Sequence, residues 1–220
     1  MNQASSWDSY WESESNRDYW LEPDQAVIAL VARLDKSKVR DVLDLGCGVG
    51  RHALWFAQAG FNVTAVDISE SAIAVLRGRV GEDNRVRIVT AAYSEDLFAE
   101  GSFDLVLAWN VLYHGRREDF ENAIRLIHRW LKPDGLLFFT CPTRQDAKYG
   151  NGEEVAPNTY RSLNGVHPGD VHYFADRFDM TDFLGGFELI SEETSELHWD
   201  NKGNRQFSSY WHILAKKATD

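Results

Sequence analysis

Asp44 and Asp67 stand on either side of a glycine-rich turn, Gly46-Cys47-Gly48-Val49-Gly50. Glycine lets a ligand come against the backbone where a Cβ would collide, and a strand feeding such a turn into a helix suits a nucleotide. Asp67 follows Gly46 by 21 residues (46 to 67), the offset at which an acidic residue ending the next parallel strand meets ribose hydroxyls. Dinucleotide binders use G-x-G-x-x-G to seat a pyrophosphate on the helix N-terminus; here the spacing is G-x-G-x-G. A carboxylate at Asp44, two residues before the first glycine, would repel pyrophosphate and suit the ammonium of an amino acid. The plainer alternative is a tight turn with a surface aspartate. His114 adds a group that titrates near neutrality, the property a general base needs. Its plainer reading is a histidine packed behind the ligand.

Bringing these residues together takes a sheet whose strands end side by side. Apolar runs over 42–45, 61–66, 86–90, 103–109 and 136–140 read as strands, alternating with helical periodicity over 51–59, 69–79 and 118–131. That alternation predicts a mostly parallel sheet with crossover helices. His114 then falls just past the fourth strand, at the carboxyl edge where such sheets bind ligands. Pro23-Asp24 opens an earlier helix carrying Val27, Leu30, Val31 and Leu34. Lys132-Pro133-Asp134-Gly135 reads as a turn. Residues 142–173 lack an amphipathic period and read as a long loop, a lid or binding element. A short helix over 175–184 and strands over 187–192 and 206–216, joined by a hairpin turn across 199–205, complete the chain.

The 220 residues, 44% hydrophobic, predict one domain with a full core. Thirty-four acidic against 23 basic residues give a charge of −11, which argues against nucleic acid and membrane surfaces as partners. Cys47 and Cys141 are too few for a disulfide framework and lack zinc-site spacing, so no metal is expected. Free thiols, a polar start and no apolar run near the ~20 residues that span a bilayer predict a cytoplasmic protein.

The segments Leu43-Asp44-Leu45-Gly46-Cys47-Gly48-Val49-Gly50, Val66-Asp67-Ile68-Ser69, Gly101-Ser102-Phe103-Asp104-Leu105-Val106 and Leu131-Lys132-Pro133-Asp134-Gly135 resemble the class I S-adenosylmethionine-dependent methyltransferases in order and separation. Gly50-Arg51-His52 is similar to the branch that includes tellurite-resistance methyltransferases. The resemblance implies an α/β, doubly wound, seven-stranded Rossmann-like sheet, mostly parallel with the last strand antiparallel. It divides the chain into an N-terminal helical cap (1–36), a cofactor-binding core (37–141), a substrate loop or lid (142–174) and C-terminal strands (175–220). The cofactor would be S-adenosylmethionine and the partner a small-molecule methyl acceptor.

By the same resemblance, Gly46, Cys47 and Gly48 would pack under the methionine and ribose, and Asp44 would orient the amino group through water. Asp67 would hold the ribose hydroxyls, and Ile68 would press on adenine. Tyr93 stands where the family often has an aspartate that reads adenine, so the local backbone with Ser94, or else Asp96, would take over. Asn110 would lie near the methionyl portion. The amino-terminal aromatics Trp7, Tyr10, Trp11, Tyr19 and Trp20 would fold over the cofactor, with Tyr19 and Arg17 as its contacts, or pack against the sheet's flank. Methyl transfer by in-line displacement depends chiefly on orientation, and His114 serves as base only if the acceptor must lose a proton. His167 and His172 read as solvated loop residues without a ligand set, and Arg116-Arg117 as a surface pair at a helix start. A non-catalytic module keeping this fold, left open by the Tyr93 departure, and a nicotinamide-dependent oxidoreductase, disfavoured by the missing G-x-G-x-x-G, are the alternatives.

Overall fold

A computed structural model describes residues 3–163, 169–201 and 204–219. Helices α1 (Gln3–Glu12), α2 (Glu14–Tyr19) and α3 (Gln25–Arg33) precede strand β1 (Asp41–Leu45). Then follow α4 (Arg51–Gln58), β2 (Asn62–Asp67), α5 (Glu70–Val80), β3 (Val86–Thr90), β4 (Phe103–Ala108), α6 (Arg117–Trp130) and β5 (Leu131–Pro142). Three short strands, β6 (Glu153–Ala156), β7 (Thr159–Arg161) and β8 (Val171–Tyr173), lead to α7 (Arg177–Phe183) and a hairpin of β9 (Phe187–Asn201) and β10 (Asn204–Lys217).

The main sheet has seven strands in the order β3-β2-β1-β4-β5-β10-β9. Strands β1 to β5 pair in parallel, and β10 runs antiparallel to both β5 and β9. Period-two alternation divides the core between two faces. On β1, Val42 joins the cluster of α3, α4 and α5, while Leu43 and Leu45 join that of α6 and α7. On β4, Leu105 and Leu107 face the first cluster, and Val106 and Ala108 the second. Strand order reverses between β1 and β4, and the crevice above that reversal is where open α/β sheets bind ligands.

Four expectations need correction. Pro23 lies outside α3, whose N-cap is Asp24 with its side chain accepting from the Ala26 N–H. The expected turn at Lys132–Gly135 is a bulge inside β5: Leu131 pairs Phe103 and Leu136 pairs Leu105, so three extra residues loop out. Lys132 there bridges Asp41 at 2.8 Å and Asp104 at 2.9 Å, tying three strands at the edge remote from the crevice. Within residues 142–173, β6, β7 and β8 form a second, antiparallel sheet; strands of three or four residues are too short to show a period. The β9–β10 hairpin extends well past 192 because its outer end is exposed, where a strand shows no apolar alternation. Residues 202–203 of the expected hairpin turn, and His167, lie outside the described residues. No helix among the described residues is long and apolar enough to cross a membrane.

Candidate active site

The glycine turn is built by backbone geometry. Gly46 and Gly48 have φ of +73° and +53°, a region that costs an L side chain about 1–2 kcal/mol. The Gly46 and Cys47 N–H groups both donate to the Val66 carbonyl, at 2.8 and 2.9 Å, which locks the turn to the end of β2. A Cβ on Gly46 would collide with the Val111 side chain, and one on Gly48 would lie 3.0 Å from the Trp11 ring. Strain and overpacking together predict that Gly46→Ala lowers stability by about 2–4 kcal/mol. At this chain length a thermal scan should show that as a fall of roughly 5–15 °C; an unchanged midpoint would mean Val111 does not close on the turn.

Asp67 ends β2 with one carboxylate oxygen accepting from Gly48 N–H at 2.7 Å and the other from Ser69 N–H at 2.9 Å. Burial raises its pKa and these backbone bonds oppose the rise. Each oxygen keeps a further lone pair for a ligand hydroxyl. Asp44 lies on the α4 face of β1 and is 1% exposed. Its Oδ2 is buried with no hydrogen-bond partner among the described residues. Burial pushes its carboxyl up to about 7, opposed by Arg51 and the Ala53 backbone and reinforced by Asp67.

A cavity of about 80 Å³ opens above the turn. Gly46, Asp67, Ile68, Tyr93, Asn110 and His114 all line it. Asn110 takes a left-handed φ of +57°, and Thr140 holds it there. The Thr140 hydroxyl accepts from Asn110 N–H at 2.8 Å and donates to Asn110 Oδ1 at 2.9 Å. The Tyr93 hydroxyl donates to the His114 carbonyl at 2.9 Å, so its ring walls the cavity. Burial raises the Tyr93 pKa, keeping it a neutral donor. His114 Nδ1 lies 3.0 Å from His172 Nε2, and the edge of Trp7 packs on the His114 ring.

Several of the sequence-predicted residues do not line the cavity. Asp44 is beneath the turn, Cys47 turns its thiol into the core, and Gly48 is covered by Trp11. Ser94 uses its carbonyl to accept from Asn122. Tyr19 is 71% exposed, and Arg17 donates to the Trp11 and Glu12 carbonyls. In their place α1 contributes Trp7 and Trp11, and the loop after β3 contributes Ala91 and Ala92. Asp96 pairs with Arg129 on α6, which removes it as an adenine reader. Arg117 is ion-paired with Asp179 and Glu121, so it braces α6 against α7. His172, expected in solvent, meets His114 through an isolated bridge that docks β8 onto the loop after β4.

Residues 42–135 match the family described as Methyltransferase domain. A ubiquinone biosynthesis O-methyltransferase of Xanthomonas oryzae pv. oryzae is 34% identical over 184 residues, covering 79% of this chain and 72% of that protein. The methyltransferase GfsG of Streptomyces halstedii is 34% identical over 133 residues, covering 58% of this chain and 47% of that protein. Among solved structures, the N-methyltransferase NodS from Bradyrhizobium japonicum, in complex with S-adenosyl-L-homocysteine, superposes with a TM-score of 0.71 at 17% identity over the full length of both chains. TehB from Haemophilus influenzae gives 0.70 at 19%, covering 96% of this chain and 67% of that one. The structural likenesses carry the fold, and the Xanthomonas relative, matched over most of both proteins, carries the family. The chain therefore belongs to the class I S-adenosylmethionine-dependent methyltransferases and is an enzyme of that class.

Proposed function

We propose that this enzyme methylates a hydroxyl oxygen of a small, planar acceptor, with residues 1–36 as a cap over the cofactor and acceptor sites. The observation that carries the reading is His114, whose imidazole lines the same cavity as Gly46 and Asp67 and is held by His172. A hydroxyl must lose its proton to become a good nucleophile, and a fixed imidazole beside it governs that loss. The name of the Xanthomonas relative, an O-methyltransferase, agrees with an oxygen acceptor.

The residues present fit S-adenosylmethionine. The buried Asp44 Oδ2 without a partner suits an ammonium, and the turn at Gly46 and Gly48 leaves no room for a Cβ. When bound, the cofactor supplies a methyl group on a positive sulfonium, which passes to the acceptor lone pair while the broken C–S pair stays on sulfur. Asp67 takes the ribose hydroxyls, Ile68 bears on the adenine, and the backbone of Gly46, Cys47 and Gly48 underlies the ribose and methionine. Tyr93, with Ala91 and Ala92 before it, walls the adenine side in place of an aspartate. Asn110, fixed by Thr140, sits beside the methionyl arm. Trp7 and Tyr93 give the cavity aromatic walls that exclude water and attract the cation. Ligand pockets usually measure ~300–1,000 Å³, so a cavity of about 80 Å³ requires Trp7 and Trp11 on α1 to yield before the cofactor enters.

The test is turnover of methyl-labelled S-adenosylmethionine against a panel of phenols, catechols, amines and thiols. Phenolic acceptors should turn over, and His114→Ala should cut their kcat about 10²–10⁴-fold with S-adenosylhomocysteine affinity little changed. Turnover confined to amines or thiols would overturn the oxygen reading.

A further inference from the structure

We propose that His114, His172 and Asp170 bind a divalent transition-metal ion at the acceptor side of the cavity. The inference rests on the hydroxyl reading for what the ion does and on geometry alone for where it binds. One donor atom from each residue lies within 4.8 Å of the other two, and His114 Nδ1 and His172 Nε2 are 3.0 Å apart. Two nitrogens each about 2.1 Å from one ion, at angles between tetrahedral and octahedral, lie roughly 3.0–3.4 Å apart. The imidazole pair thus already stands at a separation that a shared ion would impose. Closing Asp170 onto them, from within 4.8 Å to a ligand separation of about 3.0–3.4 Å, takes a shift of at most roughly 1.8 Å.

The chain builds this cluster from distant segments. His114 lies in the loop after β4, while Asp170 immediately precedes β8 and His172, two residues on, lies within it. Period-two alternation turns such a pair toward the same face. The bridge between His114 and His172 and the Tyr173 N–H to Tyr113 carbonyl bond, at 3.0 Å, fasten the two segments together. Supporting contacts resemble those that orient metal ligands. The Ser6 hydroxyl donates to Asp170 Oδ1 at 3.2 Å, Trp7 packs edge-on against His114, and the Tyr113 ring touches both imidazoles.

Two imidazoles and one carboxylate favour zinc, iron or cobalt over magnesium or calcium, whose preferred donors are all oxygen. Three protein ligands leave a coordination position open, as catalytic sites do. His114 also lines the cavity, so an acceptor hydroxyl there can occupy that position. Coordination lowers the pKa of a bound hydroxyl as it does that of water. The O–H proton then passes to solvent water, and the oxygen keeps the lone pair that takes the methyl group. His114 governs ionisation through the ion, with no need to accept the proton itself.

The test uses the full chain stripped of metal with a chelator and titrated with Co²⁺ alone. Calorimetry should give one ion per chain, accompanied by visible d–d absorption and two hyperfine-shifted imidazole N–H resonances in the proton spectrum. His172→Asn and Asp170→Asn should each weaken binding tenfold or more, because loss even of outer-shell partners costs about 10–100-fold. Substoichiometric binding, undiminished affinity in both variants, or no shifted imidazole signals in the wild-type protein would overturn the site. The imidazole signals need no variant, so they decide the matter even if a substitution unfolds the chain. S-adenosylhomocysteine binding and phenol turnover, measured on the same preparations, separate the two proposals. Co²⁺ binding without phenol methylation would sink the hydroxyl reading, and phenol methylation without Co²⁺ binding would sink the metal site.

Discussion

Below about pH 7 the affinity for S-adenosylhomocysteine is expected to rise about tenfold per pH unit, then level off. The cause is Asp44, whose carboxyl burial pushes up to about 7. In the empty protein at pH 6 it is mostly protonated, and a bound ammonium favours the carboxylate. Binding there must release a proton, and each unit of acidity makes that release tenfold harder. Above 7 the carboxylate is already formed and the dependence vanishes. Calorimetry in buffers of different ionisation heats should find about one proton released per ligand at low pH and none at pH 8; no release at either pH would refute the assignment.

Asp44 also sets a stability trend of the opposite kind. Its folded pKa lies above the ordinary carboxyl value of 3.8, so the folded chain holds this proton more tightly than the unfolded one. Its contribution is neutral below about 4 and becomes unfavourable as pH climbs to about 7. Above that the ionised group costs the fold roughly 4 kcal/mol, at about 1.4 kcal/mol per pKa unit. Asp44→Asn should therefore raise the melting temperature at pH 8, leave it nearly unchanged at pH 4, and weaken ligand binding at pH 8. On the proposed ammonium contact, cofactor binding would offset this cost of the ionised group.

Asp67→Ala should weaken S-adenosylhomocysteine by about 1.5–3 kcal/mol, the range for hydrogen bonds to a charged group, or roughly 10–150-fold in Kd. The same change strips the acceptor from Gly48 N–H and Ser69 N–H, so the melting temperature should fall too. Asp67→Asn separates the effects by keeping one acceptor oxygen while losing the charge. It should recover part of the stability and little of the affinity. Unchanged affinity in a folded Asp67→Ala protein would remove Asp67 from the ribose site.

The sheet was legible because β1, β2 and β4 are apolar runs buried on both faces, and α6 repeats Phe120, Ala123, Ile124, Ile127 and Trp130 at helical spacing. The Gly46 turn and Asp67 were legible because adjacent parallel strands end together, which converts sequence offset into distance. Pairings set by tertiary contact were hidden. Nothing local to β7, three residues long, marks it as the centre of a sheet. His114 and His172 are 58 residues apart in sequence and 3.0 Å apart in space. Of the amino-terminal aromatics, the resemblance points to Tyr19, whereas those lining the cavity are Trp7 and Trp11, four residues apart, the spacing that aligns side chains on one helical face. That spacing was the available signal.

Helix α1 is pinned at four places at once. Trp11 rests on Gly48, Asp8 accepts from Ser69 Oγ at 2.7 Å and Ser71 N–H at 3.1 Å, Ser6 holds Asp170, and Trp7 covers His114. On the proposal that residues 1–36 cap the site, spent cofactor and methylated product would both leave past this one ten-residue helix, which forms no part of the sheet, and its opening would set the pace of turnover.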